Sequence, residues 1–134
     1  MQITSNQVTI SRSAEDVYTF IADFRNFGQL MPPQVLNYEA TFDNCSFEIS
    51  GMGGVVLQMK ERIPATKVKS VSTGSTAIAF ELIVDLVPES ADSCKAVVQL
   101  DAQLSMMLQM IASAPLKNFI NMLAGKLREV MEAS

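Results

Sequence analysis

The chain contains no histidine and no tryptophan in its 134 residues. Without histidine there is no imidazole to act as a general base near neutral pH. Ser-His-Asp and Cys-His pairs are excluded, and so are nearly all transition-metal sites. Only two cysteines are present, Cys45 and Cys94, far apart and in no CxxC or CxxH spacing, so no zinc site is expected. The spacing fits two buried free thiols in a reducing cytosol, with a disulfide open on count alone. Charge is sparse. Charged residues make up 18% of the chain, and 10 Lys+Arg against 14 Asp+Glu give a net charge of −4. The basic footprint of a nucleic-acid-binding protein is therefore absent. No segment approaches the roughly 18 consecutive apolar residues of a membrane span, because Glu81, Asp85, Gln99 and Asp101 interrupt the greasiest stretches. The opening MQITSNQVTI lacks the cationic start and apolar run of a signal peptide. These absences lead to the expectation of a cytoplasmic protein with no metal, no cofactor and no membrane span.

What the chain does have is apolar surface. Hydrophobic residues make up 49% of the sequence and the mean hydropathy is +0.22, which excludes intrinsic disorder. The length is that of one domain, 1–134, with no repeat and no linker. Residues 2–10 carry β-branched side chains and predict a strand. Ser13 with Asp16 three residues later reads as a helix start, and Val17, Phe20, Ile21 and Phe24 then mark one apolar face. A short second helix is predicted over Phe27 to Met31, stopped by Pro32-Pro33.

From there the period changes from 3.6 to 2. Strands are predicted near 34–42, 45–50, 54–62, 65–72, 76–87 and 93–104, with turns at Asp43-Asn44, Gly51-Met52-Gly53-Gly54, Ile63-Pro64, Thr73-Gly74-Ser75 and Pro88 to Asp92. Short links between consecutive strands imply antiparallel pairing. The inward sets are Phe47 and Ile49; Val55, Leu57 and Met59; Val68; Ile78, Phe80, Leu82, Val84 and Leu86; and Cys94, Ala96, Val98, Leu100, Ala102 and Leu104. A sheet with one greasy face needs a cover. Leu116, Ile120, Leu123, Leu127 and Val130, widened by Phe119 and Met131, predict that cover as a helix over 115–132 with Pro115 in its first turn. Segment 105–114 reads as a connector or an extra helical turn.

The predicted order is strand, two short helices, six antiparallel strands and a long C-terminal helix. It resembles the START-like helix-grip superfamily, which includes birch-pollen allergens, polyketide cyclases and lipid-transfer domains. The segment VTISRSAEDVYTFIADFRNFGQLMP looks like the opening of that family, with Val17-Tyr18 and the Asp23-x-x-x-Phe27 spacing, and APLKNFINMLAGKLREVM resembles its closing helix. The resemblance implies an α+β fold in which a curved seven-stranded sheet grips the long helix around a cavity for a hydrophobic small molecule. It implies no catalytic residue, because the family's histidine-dependent mechanisms have no histidine to use here.

The side chains expected to line such a cavity are Phe47, Leu57, Met59, Phe80, Leu82, Val98, Leu100, Met107, Phe119, Ile120 and Leu123. The nine methionines, crowded toward the C-terminus, suit a pliable lining, or a filled core with some methionine at a dimer surface. Glu48, between Phe47 and Ile49, falls on the wet face by simple alternation, while burial beside Tyr38 would equip it for proton transfer. Tyr18 or Tyr38 offers a hydroxyl. Lys60, Arg62, Lys67 and Lys69 read as a basic stripe on the wet sheet face. The glycine-rich 51–54 lacks the Lys-Ser/Thr of a phosphate loop. Three function classes follow. The first is binding of a lipid-, quinone- or polyketide-like ligand without catalysis, which needs an open apolar cavity of a few hundred Å³. The second is a protein-interaction domain with a filled core and an exposed apolar patch, its sheet face or helix docking a larger partner as in chaperone-activating relatives of the fold, and a homodimer or other protein partner stays open. The third is a cyclase- or isomerase-type enzyme using a lone Glu or Tyr.

Overall fold

A computed structural model describes residues 1–50, 53–74 and 79–133. Two short strands, β1 (Gln2–Thr4) and β2 (Val8–Ile10), lead into helix α1 (Ala14–Ile21), helix α2 (Phe24–Phe27) and a 3-10 turn at Gly28–Leu30. Six strands follow: β3 (Val35–Ala40), β4 (Asn44–Ile49), β5 (Gly53–Ile63), β6 (Lys67–Ser72), β7 (Phe80–Ser90) and β8 (Ser93–Ala102). Helix α3 (Met106–Ala133) closes the chain. The sheet is antiparallel with order β1-β8-β7-β6-β5-β4-β3, and β2 also pairs with β8. Helix α3 packs on β1, β2, β8 and the 3-10 turn, while α1 meets β6, β7 and β8. This is the α+β helix-grip architecture, an open antiparallel sheet with a long C-terminal helix and two short helices. Gly51 and Met52 of the expected glycine turn, and Ile78 with the expected start of its strand, lie outside the described residues.

Alternation holds along the two best strands. Leu82, Val84 and Leu86 on β7 and Cys94, Ala96, Val98, Leu100 and Ala102 on β8 are buried. The α1 start is also as expected, since the Ser13 side chain accepts a hydrogen bond from the Asp16 N–H at 3.1 Å.

Four expectations need correction. The strand over 2–10 is broken at Ser5. Its hydroxyl accepts from the Val98 N–H at 2.9 Å while its own N–H donates to the Val98 carbonyl at 2.8 Å. A side-chain oxygen thus replaces a backbone carbonyl in the ladder to β8. The second helix begins at Phe24 rather than Phe27, because the Asp23 carboxylate accepts from the Arg25 N–H at 2.9 Å and supplies an N-cap. Helix α3 begins at Met106, nine residues before Pro115, so Pro115 is interior. Ser105 caps it, its hydroxyl accepting from the Leu108 N–H at 3.3 Å. The hydrogen bond that Pro115 forgoes would go to the carbonyl of Ile111, a residue on the exposed side of the helix where water can serve instead.

The fourth correction concerns the basic stripe. Met59 pairs with Ser70 and Glu61 with Lys69, which leaves Lys60 as an extra residue in β5. This bulge reverses the alternation and turns Arg62 to the inner face. Lys67 and Lys69 do lie on the outer face, opposite Asp85 at 4.0 Å and Glu81 at 3.1 Å. A second bulge interrupts β3. Leu36 pairs with Glu48 and Glu39 with Ser46, so Asn37 and Tyr38 together oppose Phe47. Asn37 takes the left-handed conformation, φ 55°, which asparagine tolerates better than most residues.

Both bulges aim a polar donor at the corner between α1 and α2. Tyr38 donates its hydroxyl to the Phe24 carbonyl at 2.6 Å. Arg62 donates from Nε to the Ala22 carbonyl at 2.8 Å and from the guanidinium to the Phe42 carbonyl at 3.0 Å and the Asp43 carboxylate at 2.8 Å. Gly28 admits the Tyr38 ring, since a Cβ there would lie 3.2 Å from a ring carbon.

Candidate functional site

The inner face of the sheet and the inner side of α3 meet in one apolar cluster. It contains Phe47, Leu57, Leu82, Val98, Leu100, Phe119, Ile120 and Leu123 from the expected lining. Leu57, Leu82, Val98, Leu100, Ile120 and Leu123 are 0–4% exposed. Side chains closed to that degree have almost no area within reach of a water molecule, whether from outside or from an internal void. Met59 and Phe80 are half-buried at the margin of the cluster. Met107 stands apart at 72% exposure. Helical phase explains this, because Ala112, Leu116 and Phe119 set the inward side of α3 and Met107 falls nearly opposite.

Open space lies at one end of the grip. A cleft of about 460 Å³ runs between the end of β4 and the N-terminal half of α3. Ile49, Ile111, Ala112, Pro115, Leu116 and Phe119 form its apolar walls, and Gln34, Ser50 and Asn118 supply polar atoms. The Ser50 N–H donates to the Gln34 carbonyl at 2.9 Å, which fixes the loop before β3 beside the end of β4. The Gln34 side-chain amide reaches the Met122 sulfur at 3.8 Å. Beyond that contact a second groove, about 600 Å³, lies between Leu30–Pro33 and the stretch of α3 from Met122 to Glu129. Of the residues expected to line a cavity, Phe119 is the one that the cleft uses. Ile49 and Leu116 are inward positions in the sequence pattern as well. Ile111 and Ala112 are not, because that pattern predicts a helix start after them. Their signal is the cap at Ser105 followed by an apolar run.

Among the described residues, no titratable side chain lines this cleft. Glu48 is exposed on the opposite side of β4 from Phe47 and Ile49. Tyr18 is half-buried and packs against the core. Tyr38 has its hydroxyl committed to the Phe24 carbonyl, its ring stacks on Phe47 with centroids 5.9 Å apart, and burial raises its pKa. Cys45, also buried, has its thiol pushed up to about 12 by desolvation. Cys94 is buried and raised for the same reason. Both cysteines are free. Among the described residues no cluster of His, Cys, Asp or Glu could hold a metal ion, and no helix is long and apolar enough to cross a membrane.

No family model and no curated protein matches the sequence. Solved structures do match. A START superfamily protein from Mycobacterium smegmatis is 15% identical, with 96% of this chain and 98% of that one covered and a TM-score of 0.70. A protein from Thermus thermophilus is 14% identical over 99% of this chain and 98% of that one, with a TM-score of 0.76. Norcoclaurine synthase from Thalictrum flavum, in complex with dopamine and hydroxybenzaldehyde, is 11% identical over 97% of this chain and 85% of that one, with a TM-score of 0.74. At such identities the likeness is one of fold, and that fold is the START-like helix grip.

Proposed function

We propose that this chain binds a small, uncharged, largely apolar molecule in the cleft between β4 and α3, and does so without turnover. The observation that carries the reading is the cleft itself. Its volume of about 460 Å³ is within the usual range of ligand pockets, roughly 300–1,000 Å³, and its walls are apolar with three neutral hydrogen-bonding side chains. Phe119 and Leu116 press on the ligand from the helix, Ile49 from the sheet, and Gln34, Ser50 and Asn118 meet its polar atoms. Phe47, Leu57, Leu82, Val98, Leu100, Ile120 and Leu123 form the packed core of the grip, while Met59 and Phe80 lie at its margin and Met107 outside it. The same fold in norcoclaurine synthase accommodates dopamine and hydroxybenzaldehyde, so a ligand of that size class suits the architecture. Acid–base catalysis needs a titratable group within hydrogen-bond reach of the reacting atom, and the described lining of this cleft offers none.

The test is titration with an environment-sensitive apolar dye, together with native mass spectrometry and solvent extraction of the purified protein. Wild type takes up dye or carries a co-purifying apolar molecule. Ala112→Phe, which fills the cleft, loses uptake, while Leu36→Ser on the outer face of β3 does not. The reading is overturned by a wild-type protein free of both dye and ligand, or by undiminished uptake in Ala112→Phe. Conversion of an extracted molecule to a new mass would replace binding with catalysis.

A further inference from the structure

The first two turns of α3 are apolar on both sides. Ala112 and Leu116 face the core, while Met106 and Met110 are each 81% exposed, Met107 72% and Ile111 67%. At 100° per residue the four exposed side chains, with Ala114, occupy one continuous stripe opposite the buried face. A helix that is apolar all round is normally enclosed on all sides, and no described element covers this stripe. With Leu108, half exposed beside it, the stripe presents on the order of 700 Å², above the few hundred Å² usual on a monomer and close to the roughly 800 Å² that each partner gives to a stable interface.

We propose that this stripe is the contact surface for a second copy of the chain, the two α3 segments packing face to face about a twofold axis near Met110. Charge singles out the occupant. The protein carries a net charge of −4, so two copies repel over most approaches, but residues 102–116 contain no Glu, Lys or Arg and no Asp. An uncharged apolar stripe is complementary to itself, which is what an isologous interface requires. A lipid surface is the poorer fit. Membrane docking draws on Lys, Arg, Trp, Tyr or Phe, and 102–116 has none of them. Unbranched methionine side chains also adapt readily to a copy of themselves across the axis.

Sedimentation equilibrium of the full chain from about 1 to 100 μM covers the range in which an interface of this size associates. Wild type sediments as a species of twice 14.6 kDa. Met110→Leu keeps that mass, and Met110→Glu, which places like charges together at the axis, weakens association by about a hundredfold. Its thermal midpoint stays at the value for monomeric wild type, because the side chain is exposed. Met106→Glu gives the same loss at the end of the stripe should Met110→Glu impair folding. A wild type that stays at 14.6 kDa throughout overturns the proposal. So does a dimer that survives both glutamate variants. Co-sedimentation of monomeric wild type with phosphatidylcholine vesicles, abolished by Met110→Glu, overturns it in favour of a lipid surface.

Discussion

Replacing Arg62 by alanine removes a guanidinium that joins three segments: the end of α1 through Ala22, the β3–β4 turn through Phe42 and Asp43, and β5 itself. The carbon of the guanidinium also lies 4.1 Å from the centre of the Phe42 ring. A hydrogen bond from a charged donor contributes about 1.5–3 kcal/mol, and a half-exposed cation–π contact about 0.5–1 kcal/mol. The pair with Asp43, whose side chain is 59% exposed, adds at most about 1 kcal/mol. These contributions overlap in one side chain, and the two carbonyls regain water in the variant. We therefore expect a loss of about 3 kcal/mol, or about 10 °C in thermal midpoint for a domain of this size. Arg62→Lys keeps the charge but not the fork and should lose about half as much. Asp43→Ala should lose under about 1 kcal/mol. Urea denaturation at constant m-value measures all three. The reasoning fails if Arg62→Ala loses less than about 1 kcal/mol, or if Asp43→Ala matches it, which would make the exposed ion pair rather than the two carbonyl contacts responsible.

Three further outcomes are expected. Phe24, fully enclosed, should cost about 3–5 kcal/mol when replaced by alanine, whereas half-buried Phe80 should cost distinctly less; equal losses in urea denaturation would contradict the burial pattern. Cys45 and Cys94 should resist a thiol reagent at pH 8 in the native protein and react in urea, since both are buried with raised pKa values; labelling of the native protein would contradict this. Asp23 is held below its ordinary value by its hydrogen bond from Arg25, and Glu132 by its hydrogen bond from the Ser11 N–H. A lowered folded-state pKa stabilises above the unfolded value and loses that contribution as pH falls through the folded one. The urea midpoint should therefore fall below about pH 4, and Asp23→Asn should flatten that fall.

The fold is legible in the sequence wherever periodicity is unbroken. Cys94 to Ala102 alternate without a fault because β8 has a strand on each side and one face against the helix. The stripe from Leu116 to Met131 is equally plain. Less is legible wherever a side chain replaces a backbone partner or a residue is added. Ser5 ends β1 by taking over a ladder bond, which a count of β-branched residues does not register. Lys60 and Asn37 each add one residue to a strand, and a period of 2 then assigns Arg62 to the wrong face. Pro115 misleads in a different way. Proline is commonest in a first turn, and here it sits inside a helix with the forgone bond on the exposed side. The cleft is hidden by that same error, because a helix start at Pro115 leaves Ile111 and Ala112 in a segment read as a connector or an extra turn, with no inward side assigned.

The bulge at Asn37 has a consequence for how the molecule behaves in a crowd. Strand β3 is the outermost on its side of the sheet and carries exposed Leu36, the kind of border onto which a foreign strand adds. A left-handed residue in its middle breaks the even row of amide and carbonyl groups, so an incoming strand can register with only two or three residues before the pattern fails. The bulge therefore works against extension of the sheet from this border. The proposed self-contact through α3 is of the other kind, since a twofold axis would close it at two copies.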